Sequence, residues 1–184
     1  MKIKHELFEQ IPECFKCPAT GLNPTNEEQL SGLIGLYWKL NLINWNKVNL
    51  YSTENKITEG DSKLFFENGI VSCEYPLFAE DKEQIKNHGG MKADIIYLTK
   101  QHIVLIENKI GSRFTYGGTQ LDRQAKYLNE SLIKNKFLIL LSSKTFFNKG
   151  WYIKELEAAV RQYQIKGYLM YLEEIFDGIT SQCT

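Results

Sequence analysis

The sequence predicts an α/β fold in which a mixed central sheet of about four strands is flanked by helices. Short apolar runs rich in β-branched residues recur between positions 70 and 141, and polar or glycine-containing segments separate them. Segments with apolar residues at helical spacing lie before, between and after these runs. Such an alternation of strands and helices is typical of α/β proteins.

Helices are predicted on both sides of the first strands. Thr25 is expected to act as an N-cap and Glu28 to complete a capping box, so that a helix spans residues 26–43. A polar loop with room for one helical turn follows at 44–60. A short helix is predicted over 61–66, because an Asn-Gly pair that is typical of helix ends follows it.

Three strands are predicted at 70–77, 91–98 and 103–109, and a fourth at 136–141. The second and third strands are joined by a short polar connection and should form an antiparallel hairpin. A helix predicted over 120–129 crosses from the third strand to the fourth. We therefore expect these two strands to be parallel.

The remaining segments complete the predicted order of elements. Residues 78–90 have mixed charge and two glycines, so we expect a mobile loop there. It would lie beside the candidate site, which is formed around Asp94 and Glu107. A helix is predicted over 151–164, whereas 168–179 is compatible with either strand or helix. The whole chain, 1–184, is expected to be one domain, with an N-terminal extension (1–24), a core (25–142) and a C-terminal helical extension (143–184).

Length and composition bound the class of protein. The chain has 184 residues, of which 43% are hydrophobic, which suffices for one substantial core. No apolar run approaches the roughly 20 residues of a membrane span, and the start of the chain lacks the apolar segment of a signal peptide. We therefore expect a cytoplasmic protein with no membrane partner. The net charge of zero does not exclude nucleic-acid binding, because positive charge can still gather on one face.

The candidate site lies in the stretch from Met91 to Lys109. Asp94 lies near the start of one predicted strand, and Glu107-Asn108-Lys109 ends the next. Successive side chains of a strand alternate between its faces, so Glu107 and Lys109 should share a face and Asn108 should point away. Two carboxylates and an ammonium can then converge. A Mg²⁺-dependent phosphodiesterase needs such a group, because carboxylates hold the ion and the cation orients water.

The motif needs a specificity test, because acidic and basic residues are frequent here. The pattern D/E-x-K occurs at Glu54-Asn55-Lys56, Asp61-Ser62-Lys63, Glu80-Asp81-Lys82 and Glu107-Asn108-Lys109. The fourth copy closes a run of β-branched residues that is typical of a buried strand. The other three lie in polar, turn-like sequence and are predicted to be solvated surface charges.

The order of Glu74, Gly89-Gly90, Asp94, Glu107-x-Lys109 and Gln120 resembles the PD-(D/E)xK nuclease superfamily. The resemblance covers roughly residues 70–142, with the helix predicted at 25–43 before it. It implies a restriction-endonuclease-like core. The chain departs from the family pattern at Ala93, where proline is usual, and that residue supplies no ligand.

The resemblance implies a binding site for Mg²⁺ or Mn²⁺. Its ligands would be Asp94, Glu107, the backbone carbonyl of Asn108 and Glu74. Lys109 would orient the attacking water and stabilise the transition state, with a pKa lowered by the nearby dication. Gln120 would steady Lys109 or a phosphate. In several branches of the family, the helix glutamine is followed by a tyrosine four residues later. Here Tyr127 lies seven residues after Gln120 and three after Gln124, so either glutamine is a candidate for this position.

Candidate nucleic-acid contacts lie around this site. They are Lys92, Arg113, Arg123, Lys126, Gln124 and Tyr127. Each site residue also has a purely structural interpretation: a turn cap for Asp94, a surface ion pair for Glu107 with Lys109, and a solvated helix face for Gln120. The ordered combination favours the site.

Four cysteines raise a separate question, because Cys14 and Cys17 form a C-x₂-C pair. A structural zinc site generally needs four ligands, and no second pair at metal-ligand spacing is present in the sequence. We expect reduced thiols that bind no metal.

The sequence therefore predicts a Mg²⁺-dependent nuclease that hydrolyses phosphodiester bonds in DNA, of a defence, restriction or repair type. A homodimer would let two sites address two strands. Two alternatives stay open: a catalytically inactive module that binds nucleic acid or protein, and a nuclease directed at RNA.

Overall fold

The computed structural model describes residues 27–54, 56–58, 64–65, 68–77, 91–109, 119–147 and 151–180. Several predictions from the sequence lie outside these residues. They concern the N-terminal extension, the Thr25 cap, the cysteines Cys14 and Cys17, the loop at 78–90 with its glycine pair, Arg113, and most of the short helix at 61–66.

The centre of the fold is a five-stranded mixed sheet in the order β1-β2-β3-β4-β5. Its strands are β1 (Ile70–Pro76), β2 (Lys92–Leu98), β3 (His102–Asn108), β4 (Asn135–Ser142) and β5 (Lys166–Tyr171). The first three strands are antiparallel neighbours, and β4 and β5 add to β3 in parallel. This confirms the predicted hairpin and the predicted parallel pair.

Helices lie on both sides of the sheet. They are α1 (Glu27–Lys39), α2 (Thr119–Glu130), a short α3 (Lys144–Phe147), α4 (Trp151–Tyr163) and α5 (Leu172–Thr180), with a 3₁₀ turn at Trp45–Lys47. The predicted helical turn after α1 is confirmed. Within the described residues, no helix has the length and apolar character needed to cross a membrane.

Two segments differ from the prediction by more than shifts of one or two residues at the ends of elements. The first helix ends at Lys39 rather than at position 43, because Asn41 has a φ of 55° in the left-handed region and Leu42 N–H bonds back to the carbonyl of Tyr37. The last segment contains both alternatives: β5 is followed directly by α5. The sheet therefore has five strands rather than about four.

The sheet has a hydrophobic core on each face. On one face, Val104 and Ile106 pack with residues of α1, the 3₁₀ turn and α5. On the other face, Ile103 and Leu105 pack with residues of α2 and α4. We call these the α1 face and the α2 face. The strict alternation along β3 decides which way the polar residues at its end point.

Candidate active site

The register of the sheet aligns three carboxylates at one level. The ladder pairs on either side of Glu74 put it opposite Asp94. Ile95 pairs with Ile106 in the next ladder, which puts Asp94 opposite Glu107. Directly opposite residues have Cβ atoms about 4.5–5.5 Å apart. The predicted proximity of Asp94 and Glu107 is therefore confirmed.

Glu107 is completely buried and held by three donors. Its Oε1 atom accepts from Lys109 Nζ at 2.6 Å and from Gln120 Nε2 at 2.6 Å. Its Oε2 atom accepts from Gln124 Nε2, also at 2.6 Å. Gln120 and Gln124 lie one turn apart on α2, so the same face of this helix fixes both oxygens of one carboxylate.

Asp94 is partly buried and linked to the end of β3. Its Oδ2 accepts from the backbone N–H of Asn108 at 2.7 Å. Burial and the neighbouring Glu107 raise the pKa of Asp94 to about 8. Burial also raises the pKa of Glu107, although Lys109 and Gln124 act in the opposite direction. The site thus places two carboxyl groups side by side where water is scarce, which disfavours their ionisation.

Lys109 lies just beyond β3 and is 6% exposed. Its backbone N–H donates to the carbonyl of Leu141 at 2.8 Å, and its own carbonyl accepts from the Ser142 hydroxyl, so β4 fixes its backbone. Its Nζ is 3.9 Å from Glu27 Oε2 in addition to the contact with Glu107. Burial would lower the pKa of Lys109, but the surrounding carboxylates outweigh it and raise the pKa. The lowered pKa predicted from the sequence applies to a metal-bound site and stays a prediction.

Glu74 lies at the outer end of the row, and its role as a metal ligand, directly or through water, stays a prediction. Its φ is 52°, so it interrupts the regular conformation of β1. Its carboxylate lies 3.6 Å from Lys92 Nζ and its side chain is 29% exposed. Its charge contributes to the raised pKa of Asp94. Glu74 therefore acts on the site electrostatically, and its side chain contacts a cation rather than the other two carboxylates.

The structure adds residues that the motif did not assign. They are Glu27, whose carboxylate lies 3.9 Å from Lys109 Nζ, and Ser142, whose hydroxyl donates to the carbonyl of Lys109. Gln124 was predicted to contact nucleic acid, but it is completely buried behind Glu107. This burial makes it a support for Glu107 rather than a surface contact.

The other predicted nucleic-acid contacts lie around the site. Lys92 is half exposed beside Glu74, and Lys126 Nζ lies 3.9 Å from Glu130 on the same helix. Arg123 is partly buried on α2, and Tyr127 is partly buried against the core of the α2 face. Among these described residues, Lys92 is exposed and the other three are partly buried.

The copy of the D/E-x-K motif that contains Glu54 and Lys56 has exposed side chains, as the sequence predicts. Glu54 and Lys56 form an ion pair at 2.5 Å, and their side chains are 69% and 76% exposed. The prediction of solvated surface charge is confirmed for this copy. The copies at 61–63 and 80–82 lie outside the described residues.

The donor set of the site can be tested for its fit to a divalent ion. Within the described part of the chain, no group of three or more His, Cys, Asp or Glu side chains has a metal-binding arrangement. Two facing carboxylates with raised pKa values nevertheless mark a place where a cation would be favourable. Glu107 Oε2 accepts one bond from Gln124, and a carboxylate oxygen has room for two. The carboxylates of Asp94 and Glu107 are therefore suited to an ion that takes its remaining ligands from water. The carbonyl of Asn108 stays a predicted ligand.

Comparison with known proteins gave no match: no protein-family model, no curated protein and no solved structure proved similar to this chain.

Proposed function

We propose that this protein is a metal-dependent nuclease that hydrolyses phosphodiester bonds, with DNA as its substrate and Mg²⁺ or Mn²⁺ as its cofactor. The observation that supports the proposal most directly is a buried contact. Lys109 Nζ lies 2.6 Å from Glu107, and Glu107 stands opposite Asp94 across the sheet. A structural ion pair does not require a second facing carboxylate, which adds repulsion.

The order of elements supports the proposed likeness to the PD-(D/E)xK superfamily. A helix precedes three antiparallel strands, a helix follows them, and the next strand is parallel to the third. The acid, the Asp and the E-x-K lie on these three strands in the order that the resemblance implies. A restriction-endonuclease-like core is therefore part of the same proposal.

The residues divide the work as follows. Asp94, Glu107 and the carbonyl of Asn108 would hold the ion, which would lower the pKa of a bound water and neutralise charge on the phosphate. Gln120 and Gln124 keep Glu107 in one orientation. Lys109 orients the attacking water and offsets the charge that develops on the phosphate oxygens.

The substrate would approach from the more exposed side of the site. Glu107 and Lys109 are nearly inaccessible, whereas the side chains of Glu27 and Glu74 are 21% and 29% exposed. Lys92, which is half exposed next to Glu74, is suited to contact a phosphate on this side. Its present partner is a carboxylate, so binding of a phosphate would replace one anion by another.

The test is cleavage of plasmid, linear duplex DNA, single-stranded DNA and RNA in Mg²⁺, Mn²⁺ or EDTA. We expect metal-dependent cleavage of DNA, and a loss of about 10³-fold in rate for Glu107→Gln and Lys109→Met. The chain offers a matched control, because Glu54→Gln and Lys56→Met alter the same tetrapeptide ENKI on the surface. These two variants should retain the rate of the unmodified protein.

Three outcomes would contradict the proposal. Cleavage that persists in EDTA would reject the metal mechanism, and cleavage that survives both site variants would reject the assigned residues. Cleavage of RNA without cleavage of DNA would reject the substrate. The homodimer stays a prediction, and sedimentation of the purified protein with and without duplex DNA tests it.

A further inference from the structure

Asn108 joins three elements at the candidate active site, although the motif assigns no role to its side chain. It is completely buried. Its backbone N–H donates to Asp94 on β2, whereas its side chain points to the opposite face of the sheet from Glu107. The side-chain Nδ2 donates to Ser31 Oγ at 3.1 Å and to the carbonyl of Glu27 at 3.4 Å.

These bonds fix the first turn of α1 to the end of β3. Ser31 Oγ also donates to the carbonyl of Glu27 at 2.9 Å, so Asn108, Ser31 and the Glu27 carbonyl form a closed triangle of hydrogen bonds. The triangle defines where the Glu27 residue sits. The carboxylate of the same residue lies 3.9 Å from Lys109 Nζ.

The remaining polar atom of Asn108 argues against a purely structural role. Its Oδ1 is buried and has no hydrogen-bond partner among the described residues. A buried acceptor without a donor costs stability. A leucine of similar shape would avoid that cost but would lose both Nδ2 hydrogen bonds, so the distinctive contribution of the amide is its anchor to α1.

We propose that Asn108 is a positioning residue that holds Glu27 against Lys109. This inference rests on the proposed function. Glu107 would be shared between Lys109 and the bound ion, so a second carboxylate is needed to keep the Lys109 ammonium oriented. Asn108 provides for this by anchoring the turn from which Glu27 extends.

The chain contains a matched control contact on the same turn. Cys73 Sγ donates to the carbonyl of Ser31 at 3.4 Å, from β1 rather than from β3. It ties the same helix to the sheet at the carbonyl of Ser31 rather than at Glu27. Loss of helix anchoring in general would affect Cys73→Ala and an Asn108 variant alike, whereas loss of Glu27 positioning would affect the Asn108 variant.

The experiment measures steady-state cleavage of duplex DNA in Mg²⁺ by Asn108→Leu, Glu27→Gln, the double variant and Cys73→Ala. We expect kcat to fall about 10- to 100-fold in Asn108→Leu, with KM within twofold because this residue is buried away from substrate. Glu27→Gln should show the same pattern. The kcat of the double variant should be no lower than that of the less active single variant, because both changes remove the same interaction. Cys73→Ala should keep kcat within twofold.

A second measurement separates positioning from folding. In EDTA, the melting temperature of Asn108→Leu should stay within a few degrees of that of the unmodified protein, since removal of the unpaired Oδ1 offsets the loss of the two Nδ2 hydrogen bonds. Activity would then fall without a matching loss of stability. Ser31→Ala, which keeps Asn108 but removes its partner, should also lower kcat without raising KM.

The possible outcomes distinguish failure of the proposed nuclease function from failure of the positioning role of Asn108. Wild-type protein that shows no metal-dependent cleavage would overturn the proposed function and this inference with it. Cleavage by the wild type together with full activity of Asn108→Leu would overturn this inference alone. The same holds if the losses of the two single variants multiply, or if Cys73→Ala loses as much as Asn108→Leu.

Discussion

Asp94 illustrates how strongly its surroundings alter a single side chain at this site. An aspartate in an unfolded chain ionises near pH 4, whereas burial and the adjacent Glu107 raise the pKa of Asp94 to about 8 in the metal-free fold. The folded state therefore favours the protonated acid between these two values. Ionisation of Asp94 therefore opposes the stability of the fold.

We predict that the metal-free protein becomes less stable as the pH rises from 5 to 9. The folded pKa of Asp94 lies above its unfolded pKa, so its contribution to stability is complete below about pH 4 and is lost as the pH passes 8. Glu107 changes stability in the same direction. The pKa of Lys109 is raised from 10.5, so its ionisation changes stability only above this pH range. Urea unfolding in EDTA should show that the free energy of unfolding falls by at least about 1 kcal/mol between pH 5 and pH 9.

The variant Asp94→Asn checks the assignment. It should flatten the pH dependence and exceed the stability of the wild type at pH 9. The control Asp177→Asn alters an exposed aspartate on α5 and should keep the wild-type slope. A wild-type stability that is constant or rises from pH 5 to 9 would contradict the assigned burial of charge.

At the scale of elements, α1 packs against β1 through a close approach at Gly35. A Cβ at this position would lie far inside van der Waals contact with Cys73 Sγ. Gly32, on the exposed side of the same helix, has no atom near its corresponding position. Packing therefore requires a glycine at position 35 of this helix but leaves room for a side chain at position 32.

We predict opposite effects of alanine at these two glycines. Gly32→Ala should stabilise the protein by about 0.5–1 kcal/mol through helix propensity. Gly35→Ala gains the same propensity but forces overpacking, which typically costs about 1–3 kcal/mol. We expect net destabilisation. Thermal or urea unfolding of the two variants measures both signs.

The companion change at Cys73 supplies the control for this prediction. Cys73→Ala removes the sulfur that the new methyl group would meet, so Gly35→Ala should become stabilising in that background. If Gly35→Ala destabilises equally with and without Cys73, the close packing of α1 on β1 does not cause the effect.

Elements also differ in how well the sequence predicted them. The hairpin of β2 and β3 and the helix that crosses to β4 follow from local patterns of apolar and polar residues. The segment from 168 to 179 was ambiguous because β5 and α5 follow each other there without a loop. The end of α1 was misplaced because apolar residues continue beyond Lys39, and the left-handed conformation of Asn41 leaves no sign in that periodicity.

At the scale of the whole molecule, the candidate site is coupled to global stability. The two hydrophobic cores share one sheet, and the site lies at the end of its central strand. Unfolding should therefore expose the site and both cores together. A ligand that binds the folded site should stabilise the entire domain.

We predict that Mn²⁺ raises the melting temperature at pH 8 relative to EDTA. An ion at 100 times its dissociation constant adds about 2.7 kcal/mol, which corresponds to roughly 5–10 °C for a chain of this size. Differential scanning calorimetry measures the shift without any substrate.

The shift should depend on the site carboxylates. Glu107→Gln should abolish it, whereas Glu54→Gln in the exposed copy of the motif should preserve it. An equal shift in all three proteins would indicate nonspecific ion binding at the surface.

The sequence by itself determined the features that depend on local periodicity. These are the strands, most of the helices, and the alternation that directs Glu107 to one face and Asn108 to the other. The tertiary structure decided the features that depend on long-range contacts. The register put Asp94 opposite Glu107, and the packing of α1 brought Glu27 to Asn108 across 81 residues of chain.

The physical reason is the range of the interactions involved. The alternation of side chains is a property of the extended backbone and is visible in a few residues. Which strands and helices meet, and therefore that Gln124 is buried behind Glu107 and Glu27 lies beside Lys109, follows from the packing of both cores around one sheet. Periodicity gave the orientations of Glu107 and Asn108, and packing gave the side chains of the site their partners.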